Sequence, residues 1–567
     1  MYDSSLPLFA VLAIIPLTLI HARFTITHPN VRRGRSSNRS RAYLFFTVFT
    51  AGMSTLAIEF TASRMLQTIY GTSNIVWANV IGLVLFFLTL GYFLGGWLAD
   101  RRPYPVLFYG LVSLAGFTSI FFLLLTSLLL RTAATALATV NVNAIIGSLV
   151  AVVLALALPV TLLGCISPFA IRLAVRDVGE AGRISGRIYA VSTWGSLLGT
   201  YLPVLLTIPL AGSRLTALIF GGFLLLVGLI GLWQTRSRVA AAGLMLPLVL
   251  LPIVLAWTGG GIKAYAGQIY ETESAYNYIQ VVRQDNCNYL LLNEGQAYHS
   301  FYCDGGTVPR VSVWSIMLAA PYFNDPAVVA QAEEASPLSA PLGRLGVIGL
   351  AAGTIPKQYT RVFGPIPIDG IELDPKIIRV GREYFALTEP NINAIAGDGR
   401  YQLNQLPYRY DVITIDAYKV PYIPWHLTTR EFFSEVEAHL SDRGVVAVNV
   451  GRAPQDRRLV DAMAATLLAV FPTVHAIDVP GSLNTILVAT VQPTTTANVL
   501  ANRARFGSET DPLLVVAVEA AADNLVPLAP SDIVFTDERA PVEAIVDSLV
   551  IRYLLEEGPA GLPGLGQ

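Results

Sequence analysis

Residues 345–354 read LGVIGLAAGT, and this stretch decides the fold of the C-terminal half. Residues 345–348 are apolar and predict a short buried strand, while the small residues from Gly349 to Gly353 predict a tight turn. The next helix is expected to begin at Pro356, because proline fits the first turn of a helix. A strand, a small-residue turn and a helix N-terminus allow the backbone to approach a ligand closely, which is typical of nucleotide- and nucleoside-binding folds. Similar turns also occur in α/β proteins for packing reasons alone. The neighbouring segments are therefore needed to distinguish a ligand-binding turn from a packing turn.

Each of the next three predicted strands ends in an acidic residue. Strand 366–371 is followed by Glu372, strand 392–396 by Asp398, and strand 411–415 by Asp416. In a parallel sheet the carboxyl ends of the strands line one crevice, where ligands bind. A carboxylate after the second strand suits the two hydroxyls of a ribose, because it offers two acceptor oxygens. We therefore expect these three carboxylates to form a functional site.

The remaining C-terminal segments continue the alternation of strands and helices. Asp374 stands directly before Pro375 and is interpreted as a helix cap rather than a ligand. The last strands are predicted at residues 445–450, 474–478 and 485–490. Together the segments predict an α/β domain built on a seven-stranded sheet.

A small β-hairpin domain is predicted ahead of this sheet. Strand-like runs cover residues 278–282, 289–292 and 297–302, with a turn at residues 293–296. This register places Cys287 almost opposite Cys303, at a separation that a disulfide can span. Two free thiols in a cytoplasmic hairpin are the alternative, since disulfides persist mainly in oxidising compartments.

The first half of the chain has the composition of a membrane domain. Of the 567 residues, 53% are hydrophobic and 14% are charged, and the mean hydropathy is +0.56, whereas soluble proteins have about 25% charged residues. Long apolar runs cover residues 6–20, 43–62, 75–94, 106–130, 144–167, 188–210, 215–233 and 240–257. A helix of about 20 apolar residues spans a bilayer. We therefore predict a multi-pass domain at residues 1–257 with seven or eight helices, the shorter run 6–20 being the optional one.

The loops between these runs differ regularly in arginine content. The loops after the first, third, fifth and seventh runs are arginine-rich, whereas the intervening loops hold one arginine each, at Arg64, Arg131 and Arg214. Because basic loops are retained in the cytoplasm, we predict a cell-membrane protein whose soluble C-terminal half is extracytoplasmic. The net charge of −1 gives no electrostatic reason to expect a nucleic-acid partner. The histidines lack the spacing of a metal site.

The motifs between Leu345 and Asn449 resemble those of a known enzyme family. IGLAAGT, GIELDP, AGDGR, YDVITIDAY, IPWHLTTREFF and GVVAVN, in this order, are similar to the spermidine synthase (polyamine aminopropyltransferase) family, which has the class I methyltransferase-like, Rossmann-type fold. SAYNYIQVV and LLLNEGQAY resemble its small N-terminal β domain, and the membrane half resembles that of its membrane-fused members. Composition and resemblance together predict a hairpin domain with linker at 258–340 and a nucleoside-binding domain at 341–557. The glycine-rich residues 558–567 are expected to be a disordered tail.

The resemblance also implies a reaction and residue roles. The family transfers an aminopropyl group from decarboxylated S-adenosylmethionine to an amine, and the donor is a co-substrate rather than a permanently bound cofactor. Asp416 is implied as the general base that removes a proton from the amine. The implied donor-binding residues are Glu372 at the ribose, Asp398 and Gly399 at the adenine, Gly349 and Gly353 in the glycine loop, and Gln296 and Asn277 closing over the donor.

The acceptor side departs from the family pattern. The family usually has acidic residues where this chain has Ala352 and Lys419, and a tyrosine-histidine-glutamate triplet where residues 313–315 read VWS. A polyamine carries two or more positive charges, for which carboxylates are the obvious partners. The aromatic side chains that could hold an amine by cation–π contact instead are Trp314, Tyr418, Tyr422 and Trp425. Packing is an equal interpretation of these four residues.

Three functions remain open at this point. The leading one is aminopropyl transfer to putrescine or another polyamine. The second is transfer of a methyl or other alkyl group from S-adenosylmethionine itself. The third is a catalytically altered scaffold or partner-binding membrane subunit, which the changed acceptor side and the outside location favour. The expected partners are the lipid bilayer, a small-molecule amine, and either a second copy of the chain or a membrane-complex partner.

Overall fold

Long helices occupy the positions of six predicted apolar runs in the computed structural model. The structure describes residues 38–70, 74–137, 144–235, 252, 265–293, 297–305, 310–338, 340–418 and 422–556. The helices are α1 (Asn38–Tyr70), α2 (Asn74–Arg101), α3 (Pro105–Leu137), α4 (Ala144–Ala174), α5 (Ala181–Leu202) and α6 (Ile208–Gln234). The predicted runs 6–20 and 240–257 lie outside the described residues, apart from position 252.

Five stretches in the described part are long and apolar enough to cross a membrane. The last stretch, Val178–Gln234, has 57 residues and contains both α5 and α6. As one straight helix it would be about 85 Å long, whereas the hydrocarbon core of a bilayer is about 30 Å thick. Gly212 interrupts it with φ 77° and ψ 168°. We interpret the stretch as two spans joined at this break.

Glycines allow the membrane helices to pack closely. A Cβ atom built on Gly91 of α2 would lie 2.8 Å from the Cα atom of Gly164 on α4. A Cβ atom on Gly195 of α5 would lie 2.0 Å from the carbonyl oxygen of Phe49 on α1. Small residues are the usual means by which helices approach one another in lipid, where hydrophobic burial gives no preference between protein and acyl chains.

The hairpin domain is a four-stranded antiparallel sheet. Its strands, in sequential order, are β1 (Gln268–Glu273), β2 (Tyr278–Gln284), β3 (Cys287–Leu292) and β4 (Tyr298–Cys303). The sequence interpretation did not include β1, whose mainly polar residues QIYETE are mostly half-buried. Cys287 and Cys303 are register partners on β3 and β4 and form a disulfide.

The α/β domain contains eight strands in one mixed sheet. The strands are β5 (Leu345–Ile348), β6 (Ile368–Glu372), β7 (Ile392–Ala396), β8 (Tyr410–Ile415), β9 (Leu440–Gly451), β10 (Thr473–Asp478), β11 (Asn484–Thr490) and β12 (Leu525–Val526). The helices are α7 (Val313–Ile316), α8 (Pro326–Ala335), α9 (Thr354–Phe363), α10 (Pro375–Tyr384), α11 (Gly399–Gln405), α12 (Arg430–Ala438), α13 (Arg458–Leu468), α14 (Thr496–Arg503), α15 (Pro512–Asp523) and α16 (Val542–Glu556).

The strand order is β12-β10-β11-β9-β8-β5-β6-β7, with parallel pairing from β9 to β7 and antiparallel pairing from β9 to β12. This arrangement confirms the predicted methyltransferase-like sheet, and the two-residue β12 adds an eighth strand to the seven expected. The chain moves from β5 outward to β6 and β7, then returns to the other side of β5 as β8. That reversal creates a crevice at the carboxyl ends of β5, β6 and β8.

Candidate active site

The glycine loop after β5 passes directly over the end of β8. Gly349 has φ +92°, and a Cβ atom there would lie 2.3 Å from the carbonyl oxygen of Asp416. The amide of Asp416 donates to the carbonyl of Ile348 at 2.9 Å. Gly353 also has positive φ, +96°, and is the N-cap of α9, so this helix begins at Thr354 rather than at Pro356. The glycines are therefore required both for the turn and for the close approach to Asp416.

Glu372, at the end of β6, is held by backbone amides. Its Oε2 accepts from the Ala351 amide of the glycine loop at 2.9 Å, and its Oε1 accepts from the Asp374 amide at 3.0 Å. Glu372 is only 9% exposed. Burial raises the pKa of the Glu372 carboxyl to about 7, although these amide bonds oppose the shift. The carboxylate is fixed in orientation and changes its charge near neutral pH.

Asp374 caps the helix after β6, as expected, and also contacts the hairpin domain. Its Oδ1 accepts from the Lys376 amide at 3.0 Å, and its Oδ2 accepts from the Asn277 side-chain amide at 3.0 Å. The Asn277 Oδ1 in turn accepts from Asn293 at 2.9 Å. The structure thus brings Asn277 to the Glu372 side of the crevice. Gln296 lies outside the described residues.

Asp398 and Gly399 stand between β7 and α11. Asp398 caps this helix by accepting from the Tyr401 amide at 3.0 Å, and its other oxygen is 2.8 Å from Nε2 of His426. A Cβ atom on Gly399 would lie 2.6 Å from a methyl group of Ile348 on β5. The glycine therefore lets α11 begin against the central strand. The contact with His426 was not part of the sequence interpretation.

Asp416 follows β8 and accepts hydrogen bonds from two side chains. Asn449 donates from Nδ2 to Oδ1 at 2.9 Å, and Trp314 donates from Nε1 to Oδ2 at 3.0 Å. Burial raises the pKa of the Asp416 carboxyl, and the two donated bonds act in the opposite direction. Asn449 is itself oriented by Asn484, which donates to its Oδ1 at 2.9 Å.

Asn449 and Asn484 were missed by the sequence interpretation. A signal for Asn449 was available, since it closes the apolar run GVVAVN of β9, the strand beside β8. A polar side chain at the carboxyl end of a buried neighbouring strand falls at the same edge as Asp416. Asn484 begins an antiparallel strand, so the rule of carboxyl ends could not have found it.

The four aromatic acceptor candidates have different surroundings. The Trp314 ring centroid is 5.5 Å from that of Phe301, and its indole nitrogen bonds to Asp416. The Tyr418 hydroxyl donates to the Asn449 carbonyl at 3.1 Å, and the Tyr422 hydroxyl donates to the Asp547 carboxylate on α16. Trp425 is 46% exposed. Trp314 is therefore the member of the set that donates to the Asp416 carboxylate.

The chain is related in sequence to polyamine aminopropyltransferases, which confirms the resemblance seen in its motifs. It is 31% identical over 243 residues to the probable polyamine aminopropyl transferase of Bifidobacterium longum, covering 42% of this chain and 48% of that protein. It is 29% identical over 167 residues to the eEF1A lysine and N-terminal methyltransferase of Mus musculus, covering 28% and 24% of the respective chains. The chain thus spans less than half the length of these curated relatives.

A crystal structure of a probable spermidine synthase from Corynebacterium glutamicum matches with a TM-score of 0.34 and 19% sequence identity. The match covers 48% of this chain and 99% of that one. No family model matches the chain.

Proposed function

We propose that this chain is a membrane-bound aminopropyltransferase that uses decarboxylated S-adenosylmethionine as donor and an amine as acceptor. The observation that carries the proposal is the placement of Glu372 and Asp416 at the carboxyl ends of β6 and β8, with the glycine loop of β5 contacting both residues. The relatives named polyamine aminopropyltransferase support the same reaction.

The reaction needs alignment and removal of a proton more than it needs activation of the donor. The amine nitrogen attacks the propyl carbon bound to the sulfonium sulfur, the carbon–sulfur bond breaks, and its electron pair stays on sulfur. Methylthioadenosine leaves, and the proton lost by the amine passes to the Asp416 carboxylate. Because the sulfonium is already a good leaving group, positioning of the two substrates supplies most of the acceleration.

The donor contacts follow from the geometry of the crevice. The two oxygens of Glu372 accept from the Ala351 and Asp374 amides, and a carboxylate has about four acceptor positions, so it can still accept from the ribose hydroxyls. Asp398 and Gly399, beside the β5 end, form the proposed adenine side. Trp314 and Asn449 each donate to one oxygen of the Asp416 carboxylate and fix its orientation.

Methyl transfer from S-adenosylmethionine is the second candidate function. It is favoured by the relative of Mus musculus, which is named as a lysine and N-terminal methyltransferase. Both reactions use a sulfonium donor and a deprotonated amine, so the same crevice serves either one. The nucleoside product distinguishes them, because aminopropyl transfer leaves methylthioadenosine and methyl transfer leaves S-adenosylhomocysteine.

The test is a product assay on the full chain purified in detergent. The protein is incubated with putrescine and with either the decarboxylated or the carboxylated donor, and both nucleoside products are measured by mass spectrometry. We expect methylthioadenosine from the decarboxylated donor in amounts exceeding the enzyme. S-adenosylhomocysteine from the carboxylated donor would support the second candidate. Tight nucleoside binding without turnover on any amine tested would support the scaffold.

We further propose that the soluble half lies outside the cytoplasm. It contacts the membrane domain at Arg64 and Ser213, which belong to the ends of α1 and α6 that adjoin the arginine-poor loops. The Cys287–Cys303 disulfide also fits an oxidising compartment. Single cysteines introduced at Gly260 and at Ser36, on a background lacking the native cysteines, test the orientation in intact cells. Labelling by an impermeant reagent at position 260 alone is expected, and labelling at position 36 alone would reverse the assignment.

A further inference from the structure

A membrane helix reaches a turn of the soluble half through one arginine. Arg64 of α1 donates from Nη2 to the carbonyl of Ser274 at 2.8 Å and from Nη1 to the carbonyl of Tyr276 at 3.2 Å. Both carbonyls belong to the turn between β1 and β2. The planar guanidinium presents its donors in a fixed fork, so binding two carbonyls at once restricts the turn.

The same turn bonds to the residue next to the proposed ribose site. Ser274 donates from Oγ, and Asn277 donates from Nδ2 at 3.0 Å, to the same carboxylate oxygen of Asp374. Asp374 is fully buried, and its amide donates to Glu372 at 3.0 Å. A continuous series of hydrogen bonds therefore leads from Arg64 in the membrane domain to the Glu372 carboxylate.

A second connection runs through the break in α6. The Glu273 carboxylate accepts from the amide and, at 3.0 Å, the hydroxyl of Ser213, directly after the non-helical Gly212. Lys376, at the start of α10, donates to the carbonyl of Glu273 and, at 3.4 Å, to that of Pro209. Glu273 is 7% exposed, so it provides a buried acceptor for the amide that the helix break exposes.

These hydrogen bonds are not needed merely to keep the soluble half attached to the membrane helices. A covalent linker already joins the two halves, and burying charged groups costs free energy that hydrogen bonds must offset. The two connections converge on one short segment, from Glu372 to Lys376. That segment carries the end of β6 and the start of α10, which form one wall of the crevice.

We propose that Arg64 is a positioning residue of the nucleoside site, and that the membrane helices hold Glu372 in its ribose-binding orientation through the 274–277 turn and Asp374. The inference deepens the proposed function and rests on it for the identity of the ligand. In this proposal the membrane domain contributes to donor binding by orienting Glu372. Removing the Arg64 fork loosens the turn, and Glu372 loses part of its alignment.

The test compares Arg64→Met with Arg64→Lys and with Arg187→Met in the full chain in detergent. Arg187 is exposed near the start of α5, at the end of this helix away from the Pro209 contact, and serves as the matched control. The first readout is amide hydrogen exchange of residues 372–377 without ligand. The second is the dissociation constant of methylthioadenosine by equilibrium dialysis.

We expect Arg64→Met to increase exchange in residues 372–377 and to weaken methylthioadenosine binding about tenfold. Arg64→Lys, which keeps the charge but loses the fork, should fall between, and Arg187→Met should match the unaltered protein. Turnover at saturating donor should change less than affinity, because Asp416 is untouched. Unchanged exchange in the folded Arg64→Met protein, or increased exchange with unchanged affinity, would overturn the inference.

Ser274→Ala provides an independent variant if Arg64→Met does not fold. It removes one donor to Asp374 and the Oγ acceptor of the Tyr276 and Asn277 amides, at 3.0 and 2.8 Å, while Arg64 itself is unchanged. Because this loosens the same turn, the same direction of change is expected in both readouts. If the unaltered protein binds no methylthioadenosine, the proposed donor site fails. The exchange measurement then still decides whether Arg64 orders the segment that carries Glu372.

Discussion

Glu372 and Asp416 stand on opposite sides of β5, and the protein holds them by different means. Glu372 accepts from two backbone amides, at Ala351 and Asp374, which the fold of the glycine loop and of the β6 end fixes. Asp416 accepts from two side chains, Trp314 and Asn449, which come from α7 and β9. The ribose side is therefore built by local backbone conformation, and the base side by residues distant in sequence.

This difference predicts how each side responds to substitution. Backbone donors survive the replacement of most neighbouring side chains, so the ribose side should change when Glu372 itself, the glycine loop or the proposed Arg64 support of the 274–277 turn is altered. The base side depends on individual side chains, and each one can be removed singly. Substitutions on the ribose side should therefore change donor affinity, whereas substitutions on the base side should change turnover.

Asp416→Asn should give the largest effect. The amide cannot accept the proton of the attacking amine, and its NH2 group must face one of the two donors that now bond to the carboxylate. We expect turnover to fall about 10²- to 10⁴-fold, with methylthioadenosine binding nearly unchanged. Single-turnover formation of methylthioadenosine and equilibrium dialysis measure the two quantities.

Asp532→Asn is the control for this substitution, since Asp532 is exposed. Asp532→Asn should leave turnover and methylthioadenosine binding unchanged. Equal turnover by the Asp416→Asn and unaltered proteins would remove Asp416 from the role of base.

Glu372→Gln should lower donor affinity rather than turnover at saturation. The glutamine NH2 group would face a backbone amide that now has an acceptor, so binding should weaken about 10- to 100-fold. In the unaltered protein the pKa of Glu372 is about 7. Donor affinity should therefore fall roughly tenfold per pH unit as pH decreases below that value, and should be flat above it. In Glu372→Gln this dependence should be absent.

The raised pKa of Glu372 also predicts how the stability of the protein changes with pH. The usual value is 4.5 and the folded value is about 7, so between these pH values the folded chain holds a proton that the unfolded chain has released. The contribution of Glu372 to the free energy of unfolding should therefore decrease as pH rises through this interval. Denaturation of the full chain and of Glu372→Gln across the interval measures the difference, and parallel slopes for the two proteins would contradict the assignment.

Trp314→Phe should give an intermediate effect on the base side alone. The substitution keeps an aromatic ring against Phe301 but removes the Nε1 donor to Asp416. Loss of a hydrogen bond to a charged group costs about 1.5–3 kcal/mol, which corresponds to a rise of about one to two units in the pKa of Asp416. The acidic limb of the pH–rate profile should move upward by that amount, whereas donor affinity stays constant. An unmoved limb would mean that Trp314 serves packing only.

Sequence reasoning predicted the ribose side better than the base side for the same physical reason. Strand ends, glycine loops and caps are local, and the residues around Glu372 and Asp374 carry those local signals. Trp314 was proposed to contact the amine, but no local pattern shows that its indole nitrogen reaches Asp416, 102 residues away in sequence. The carboxyl-end rule would have found Asn449, had it been applied to β9.

The fold was predictable in its main strands but not at its junctions. The seven strands predicted for the main sheet have strong apolar runs, and each one is present. Strand β1 was missed, because the charged and polar residues of QIYETE reflect its half-buried position. In the sequence, Arg64 stands out only as the one arginine near the end of the second apolar run. In the structure Arg64 bonds to the carbonyls of Ser274 and Tyr276, a contact between segments more than 200 residues apart that sequence spacing could not reveal.

Trp425→Ala should give the smallest effect and tests the acceptor side of the comparison. If Trp425 held the amine by cation–π contact worth about 1–2 kcal/mol, the acceptor KM would rise about 5- to 30-fold. In the structure Trp425 is 46% exposed, and its ring packs edge-on against His426 at 5.8 Å. We therefore expect an acceptor KM within about twofold of the unaltered value, as is usual for exposed positions. Tyr422→Phe should likewise leave KM unchanged but lower stability by about 1 kcal/mol, because it loses the bond to Asp547. A large KM increase in Trp425→Ala would move amine recognition to this surface and away from Trp314 and Asp416.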